Sequence, residues 1–196
     1  PVMRALLDGG ETHVDGFLLP GHVAVVTGTE TFEFLARDYA VPGVVGGFQP
    51  LEILRAIQLL VRQIGAGEAR IENVYETVVR PAGNPVARAA IERVYEPASV
   101  RWRGLGEIPA SGLLMREEYA AFDFARVRPL SVGVVGDGRH GCRCGEVLRG
   151  AIVPRDCNLF GKACVPEHAV GPCMVSVEGT CAAWYKYGGG RFRYGA

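Results

Sequence analysis

Apolar and polar positions follow two rhythms along this chain. Over residues 1–115, short apolar runs alternate with segments of helical spacing, the pattern of βαβ units around a largely parallel sheet. Residues 16–19 (Gly-Phe-Leu-Leu) read as a buried strand ending at Pro20-Gly21, and the apolar run 22–26 fits strand or helix equally. Thr29 reads as the N-cap of a helix over 31–38 that Pro42 stops, and Val44-Val45 is a short strand. The clearest helix starts at Pro50, in the first-turn position proline favours. It carries Leu51, Leu54, Ile57, Val61 and Ile64 at spacings of three and four until Gly65 and Gly67, with Arg55 and Arg62 on its other face. Residues 73–79 alternate like a strand. Asn84-Pro85 caps a helix running to about Val94, and Val100-Arg101-Trp102 leads into a Gly-rich loop.

Beyond Phe124 the rhythm fades. Residues 126–196 are rich in Gly, Pro and Cys with only short helical stretches, so something besides a large apolar core must order them, and a bound metal would serve. The expected organisation is an α/β domain of βαβ type over 1–125, followed by a small irregular cysteine-rich domain over 126–196.

At 196 residues and 48% hydrophobic, the chain can bury a full core. Lys plus Arg and Asp plus Glu number 21 each, so no basic field points to nucleic acid or an anionic membrane, and proteins or small molecules are the expected partners. The apolar runs fall far short of the roughly 18 residues that span a bilayer, which predicts a soluble protein. The chain opens at Pro1 with neither an initiator Met nor a basic-then-apolar leader, and reads as processed or truncated.

All six cysteines lie between Cys142 and Cys181. Disulfides staple small secreted domains, whereas a local cluster beside a cysteine-free, core-forming domain is typical of an intracellular ligand set, so a reducing, cytoplasmic compartment is expected. The spacing is Cys142-x-Cys144, then twelve residues to Cys157, six to Cys164, eight to Cys173 and seven to Cys181. No CxxC pair occurs, so a zinc ribbon fits poorly, although His168 could join a mixed zinc site. Iron-sulfur clusters tolerate wider spacing because four thiolates reach a large cuboid from different loops. Spacing alone leaves iron-sulfur, zinc and redox or buried thiols open. Six sulfurs exceed the needs of one four-ligand site.

His22 directly follows a predicted strand, where open α/β sheets place ligand loops. A loop histidine capping a carbonyl is the plainer reading. Glu178, close before Cys181, could tune a proton or metal site or be an ordinary solvated carboxylate. Residues 43–47 lack phosphate-loop spacing. Arg101-Trp102-Arg103 and the aromatic run Trp184, Tyr185, Tyr187 and Tyr194 read as packing rather than base-stacking platforms.

Several motifs together resemble the HypD family of NiFe-hydrogenase maturation factors. They are Gly16-Phe17 with Pro20-Gly21-His22-Val23, residues 47–54 (Gly-Phe-Gln-Pro-Leu-Glu-Ile-Leu), residues 102–109 (Trp-Arg-Gly-Leu-Gly-Glu-Ile-Pro) and Cys157-x-Leu159-Phe160-Gly161-Lys162-x-Cys164. The closing Gly171-Pro172-Cys173-Met174-Val175-Ser176-x-Glu178-Gly179-x-Cys181 is the most specific. The likeness runs along the whole chain but covers about the C-terminal half of a typical member.

The resemblance implies a cytoplasmic scaffold of α/β domains with a 4Fe-4S domain, working with HypC and HypE to assemble the Fe(CN)2CO unit. It implies Cys144, Cys157, Cys164 and Cys181 as cluster ligands, with Cys142 the alternative first ligand and Cys173 a spectator. It also moves His22 and Glu178 toward the cleft where the iron unit, with its CN and CO ligands, is built. Gln49 stands where the family more often has Glu. Family members carry an iron-binding cysteine motif and a CxxC-type pair in their N-terminal half, and residues 1–141 have no cysteine, so a fragment or split gene product is expected. The competing reading is a zinc- or cluster-stabilised interaction module without redox role. An independent enzyme using His22 and Glu178 is a third, lacking any accompanying nucleophile or phosphate motif.

Overall fold

A computed structural model describes residues 1–9, 12–102, 105–129 and 141–188. Arg103 and Tyr194, named above, lie outside the described residues. The chain opens with helix α1 (Val2–Asp8). One compact unit, Val14–Glu96, follows; the other comprises Pro1–His13 and Pro97–Ala196.

The unit Val14–Glu96 runs β1 (Phe17–Pro20), α2 (Gly21–Thr27), α3 (Glu33–Tyr39), β2 (Gly43–Gly46), α4 (Pro50–Ala66), β3 (Ile71–Asn73) and α5 (Pro85–Val94). Its strands form a parallel sheet in the order β1-β2-β3, with Leu18 opposite Val44 and Val44 opposite Glu72. The α/β architecture expected from the alternating pattern is therefore present. β2 is buried at every residue, as a central parallel strand covered on both faces must be. Leu19, Leu35, Val44, Val45 and Val79 build the core with Ala24 and Ala56. The one buried polar residue among those described, Gln63, is satisfied at both ends. Its Nε2 donates to Glu72 Oε2 at 2.8 Å and its Oε1 accepts from the Arg70 amide at 2.9 Å, tying α4 to β3.

Local signals set most boundaries. Asn84 caps α5, its Oδ1 accepting from the Val86 and Ala87 amides at 3.0 Å each. α4 starts at Pro50 behind Gln49, which forms a capping box with Glu52, and ends at Gly67 in the left-handed conformation. Gln49, off the family's usual pattern, is thus a helix cap. The ambiguous run 22–26 is helical, within α2. Thr29 makes no side-chain cap; a 3-10 turn over Glu30–Phe32 precedes α3 instead. The strand read over 73–79 is misplaced: β3 is Ile71–Asn73, and it stops there because Asn73 Oδ1 accepts from the Tyr75 amide at 2.9 Å, closing an Asx turn. The stripe on α4 is also not turned toward the sheet: Ala56 and Gln63 are buried, while Leu51, Leu54, Ile57, Val61 and Ile64 are exposed.

β4 (Tyr95–Trp102), which begins at the end of this unit and continues into the other, pairs with β5 (Gly106–Met115) in a two-stranded sheet, where sequence alone suggested only a loop after Trp102. Trp102 Nε1 donates to Ser111 Oγ at 2.8 Å across the pair. Short helices follow: α6 (Phe124–Val127), α7 (Cys144–Leu148), α8 (Pro172–Val175) and α9 (Thr180–Tyr187). Trp184 and Tyr185 pack as expected of a structural strip, under the Arg155 guanidinium and edge-on to Phe160 respectively.

Candidate metal centre

Each cysteine is placed by a short local device. Cys144 opens α7, Cys173 lies in α8 and Cys181 in α9. Cys157 ends a 3-10 turn over Pro154–Asp156. Cys164 closes a tight loop, its amide donating to Leu159 O at 2.9 Å and its carbonyl accepting from the Gly161 amide at 3.1 Å. Arg143 clamps two of these devices together. Its Nε donates to Glu146 Oε1 at 2.8 Å within α7, and its Nη1 donates to the Asp156 carbonyl at 3.3 Å, just before Cys157. Two glycines are required by close approach. A Cβ at Gly171 would stand 2.5 Å from Cys142 Sγ, and one at Gly179 would stand 2.3 Å from the Cys173 carbonyl.

These devices bring all six cysteines to the lining of one small cavity, part of it open to solvent, with Val147, Leu159, Phe160 and Met174 among its apolar walls. All six are free thiols, and Cys144, Cys157, Cys164 and Cys173 are buried. Two contacts single out particular sulfurs. Cys144 Sγ lies 2.7 Å from Cys173 Sγ. Cys164 Sγ receives the Val170 amide at 3.4 Å, the kind of donor that stabilises a thiolate.

The surroundings hold the protons on three of these thiols. Burial pushes the Cys181 thiol up to about 11, helped by neighbouring Cys144 and Cys164, and burial likewise raises Cys142. Cys173 is raised first by its contact with Cys144 and then by burial. Crowded thiols in an apolar cavity cannot all ionise unless a cation compensates their charge, which is what bound metal supplies. Among the described residues, no three His, Cys, Asp or Glu side chains are arranged to hold a single metal ion. His168, the candidate for a mixed zinc site, is exposed and does not line the cavity. Glu178 is exposed as well, its amide donating to Ser176 Oγ at 3.2 Å, and does not line the cavity.

His22 belongs to the unit Val14–Glu96. Its ring stacks on Phe48 with centroids 3.8 Å apart, and Phe48 meets Tyr75 edge-on at 6.2 Å. These three residues lie just past the carboxyl ends of β1, β2 and β3, the edge at which parallel sheets bind ligands. Phe48 and Tyr75 were not picked out as site residues from sequence. The usable signal was their shared position two residues beyond a strand end.

The family model HypD, described as "Hydrogenase formation hypA family", matches residues 1–188. The chain belongs to the HypD family. It is 47% identical over 96% of its length to the hydrogenase maturation factor HypD of Rhodobacter capsulatus, covering 51% of that protein. It is 45% identical to HypD of Escherichia coli and 44% identical to that of Cupriavidus necator, over 95% and 92% of this chain and 50% and 48% of those proteins. The chain thus spans about half the length of the curated relatives it matches, their C-terminal half. The HypD match takes in both the cysteine cavity and the His22–Phe48–Tyr75 stack.

Proposed function

We propose that this chain acts as the C-terminal part of a cytoplasmic HypD-type scaffold for hydrogenase maturation, holding a 4Fe-4S cluster and assembling with HypC- and HypE-type partners around the Fe(CN)2CO unit. The observation that carries this reading is the convergence of six thiols on one cavity in a HypD-family chain. No described helix is long and apolar enough to cross a membrane.

Cys157, Cys164 and Cys181 are the proposed ligands, with Cys144 or its alternative Cys142 as the first. The contact of Cys144 Sγ with Cys173 Sγ favours Cys142, leaving Cys144 and Cys173 as a thiol pair beside the centre. The bound cluster would supply one-electron redox capacity. The chain's own residues set its surroundings: the Val170 amide donates to Cys164 Sγ, Arg143 holds α7 to the Cys157 turn, and the apolar walls exclude water. His22, stacked on Phe48 at the sheet's carboxyl edge, offers ring nitrogens for hydrogen bonding. Glu178 offers an exposed carboxylate between Cys173 and Cys181. Both serve assembly of the iron cargo in this reading.

Anaerobic purification with iron and acid-labile sulfide analysis tests the proposal. About four irons and four sulfides per chain are expected. Zinc alone would sink the redox reading in favour of an interaction module stabilised by metal. Cys142→Ser is expected to abolish the visible absorbance of the cluster and Cys144→Ser to leave it; the reverse result restores Cys144 as ligand.

A further inference from the structure

Helix α4 buries the wrong face for its composition. Its contact with the sheet rests on Ala56 and Gln63, with Leu59 and Leu60 half buried, whereas Leu51, Leu54 and Val61 are 77%, 64% and 62% exposed. With Ile57 and Ile64, also exposed, these residues form one stripe. The run Leu54, Ile57, Val61, Ile64 repeats at three, four and three, the spacing at which one helix seats its side chains between those of another. No charge interrupts it; Arg55, Gln58 and Arg62 border it as a polar rim.

Five large aliphatic side chains along one helix form an exposed stripe of the kind that marks a protein interface. The relatives show where an occupant of matching size exists, because this chain corresponds to about half of each. We infer that the α4 stripe is the docking surface for the polypeptide that makes up the other, N-terminal half of HypD relatives. This rests on family membership and on the stripe, and is independent of which metal the cysteines hold.

The test co-expresses this chain with the N-terminal half of Escherichia coli HypD and measures the complex by affinity capture and analytical ultracentrifugation. A one-to-one complex is expected. Leu54→Glu with Val61→Glu should weaken it roughly 30-fold or more, the size expected for loss of central anchors. These positions are exposed, so the circular dichroism and melting of the lone chain should not change. Phe122→Ser, at an exposed aromatic outside α4, should leave the complex intact. Side-chain carbene footprinting adds a second readout: the stripe should label in the lone chain and be protected in the complex. The inference is overturned by absence of a complex, by equal binding of the double Glu variant, or by equal loss in Phe122→Ser. A lone chain whose stripe is already protected, or that dimerises through it, overturns it equally, the latter making a second copy the occupant.

Discussion

The sheet unit Val14–Glu96 and the cysteine-bearing segment 141–188 reach order by different routes. The first buries β2 completely and closes Leu19, Leu35, Val44 and Val45 around it, with three helices of seven residues or more packed on the strands. The second has four- to eight-residue helices and a small cluster of Cys164, Met174 and Ala182, with six thiols around a cavity where a core would be. Apolar burial is additive and tolerant of single losses. A thiol cavity ordered by metal would be closer to all-or-none, since such a site needs each of its ligands.

The contrast can be broken most forcefully at the cysteines. Cys157→Ser is expected to abolish metal retention and open residues 141–188 to limited proteolysis while the sheet unit still melts cooperatively, a local loss on the order of several kcal/mol. Survival of an ordered segment without metal would show that its small apolar cluster suffices. Leu35→Ala is the converse cut: it removes a fully buried side chain and should lower unfolding stability by about 2–5 kcal/mol in denaturant titration. The cluster absorbance should stay unchanged until the sheet unfolds; bleaching at lower denaturant would mean that the two regions are not separable. Asn84→Ala removes the α5 cap and should cost about 1 kcal/mol in the same titration, without effect on metal content. The smallest effect concerns pH. The hydrogen bond from Arg143 holds the Glu146 carboxyl below its ordinary value of 4.5, so its contribution is present above that value and fades as pH falls through the lower folded-state value. Both groups are solvent-exposed, so the effect is slight. The unfolding midpoint of the unmodified protein should therefore drop slightly more steeply below pH 4.5 than that of Glu146→Gln, and parallel curves would remove the pair from the account.

Much of the sheet unit was readable before any contact was known, because its signals act over a few residues. Pro50 and Asn84-Pro85 start α4 and α5 where expected, and the Leu18 and Val44 runs are strands. Misreadings arose where a side chain bonds locally in a way that periodicity does not express. Asn73 ends β3 early through its own Asx turn, and Thr29 declines a capping role that its residue type favours. The hairpin partner β5, with Gly106 and a Pro at 109, carries too many turn residues to declare itself as a strand. Among the site residues, the cysteines announced themselves by confinement to one stretch, whereas Phe48 and Tyr75 carried no sign beyond their distance from a strand end.

The sequence by itself determined the α/β rhythm, the helix starts, the family likeness and the concentration of thiols near the end of the chain, all properties of neighbours along the backbone. Only the tertiary structure decided which thiol touches which, that His22 stacks on Phe48, and that α4 turns Ala56 and Gln63 inward while leaving its leucines outside. Those outcomes depend on residues tens of positions apart being brought together by chain closure and packing. Spacing can give a sulfur its neighbours in sequence, but the 2.7 Å contact of Cys144 with Cys173 exists only once α7 and α8 have been folded against one cavity.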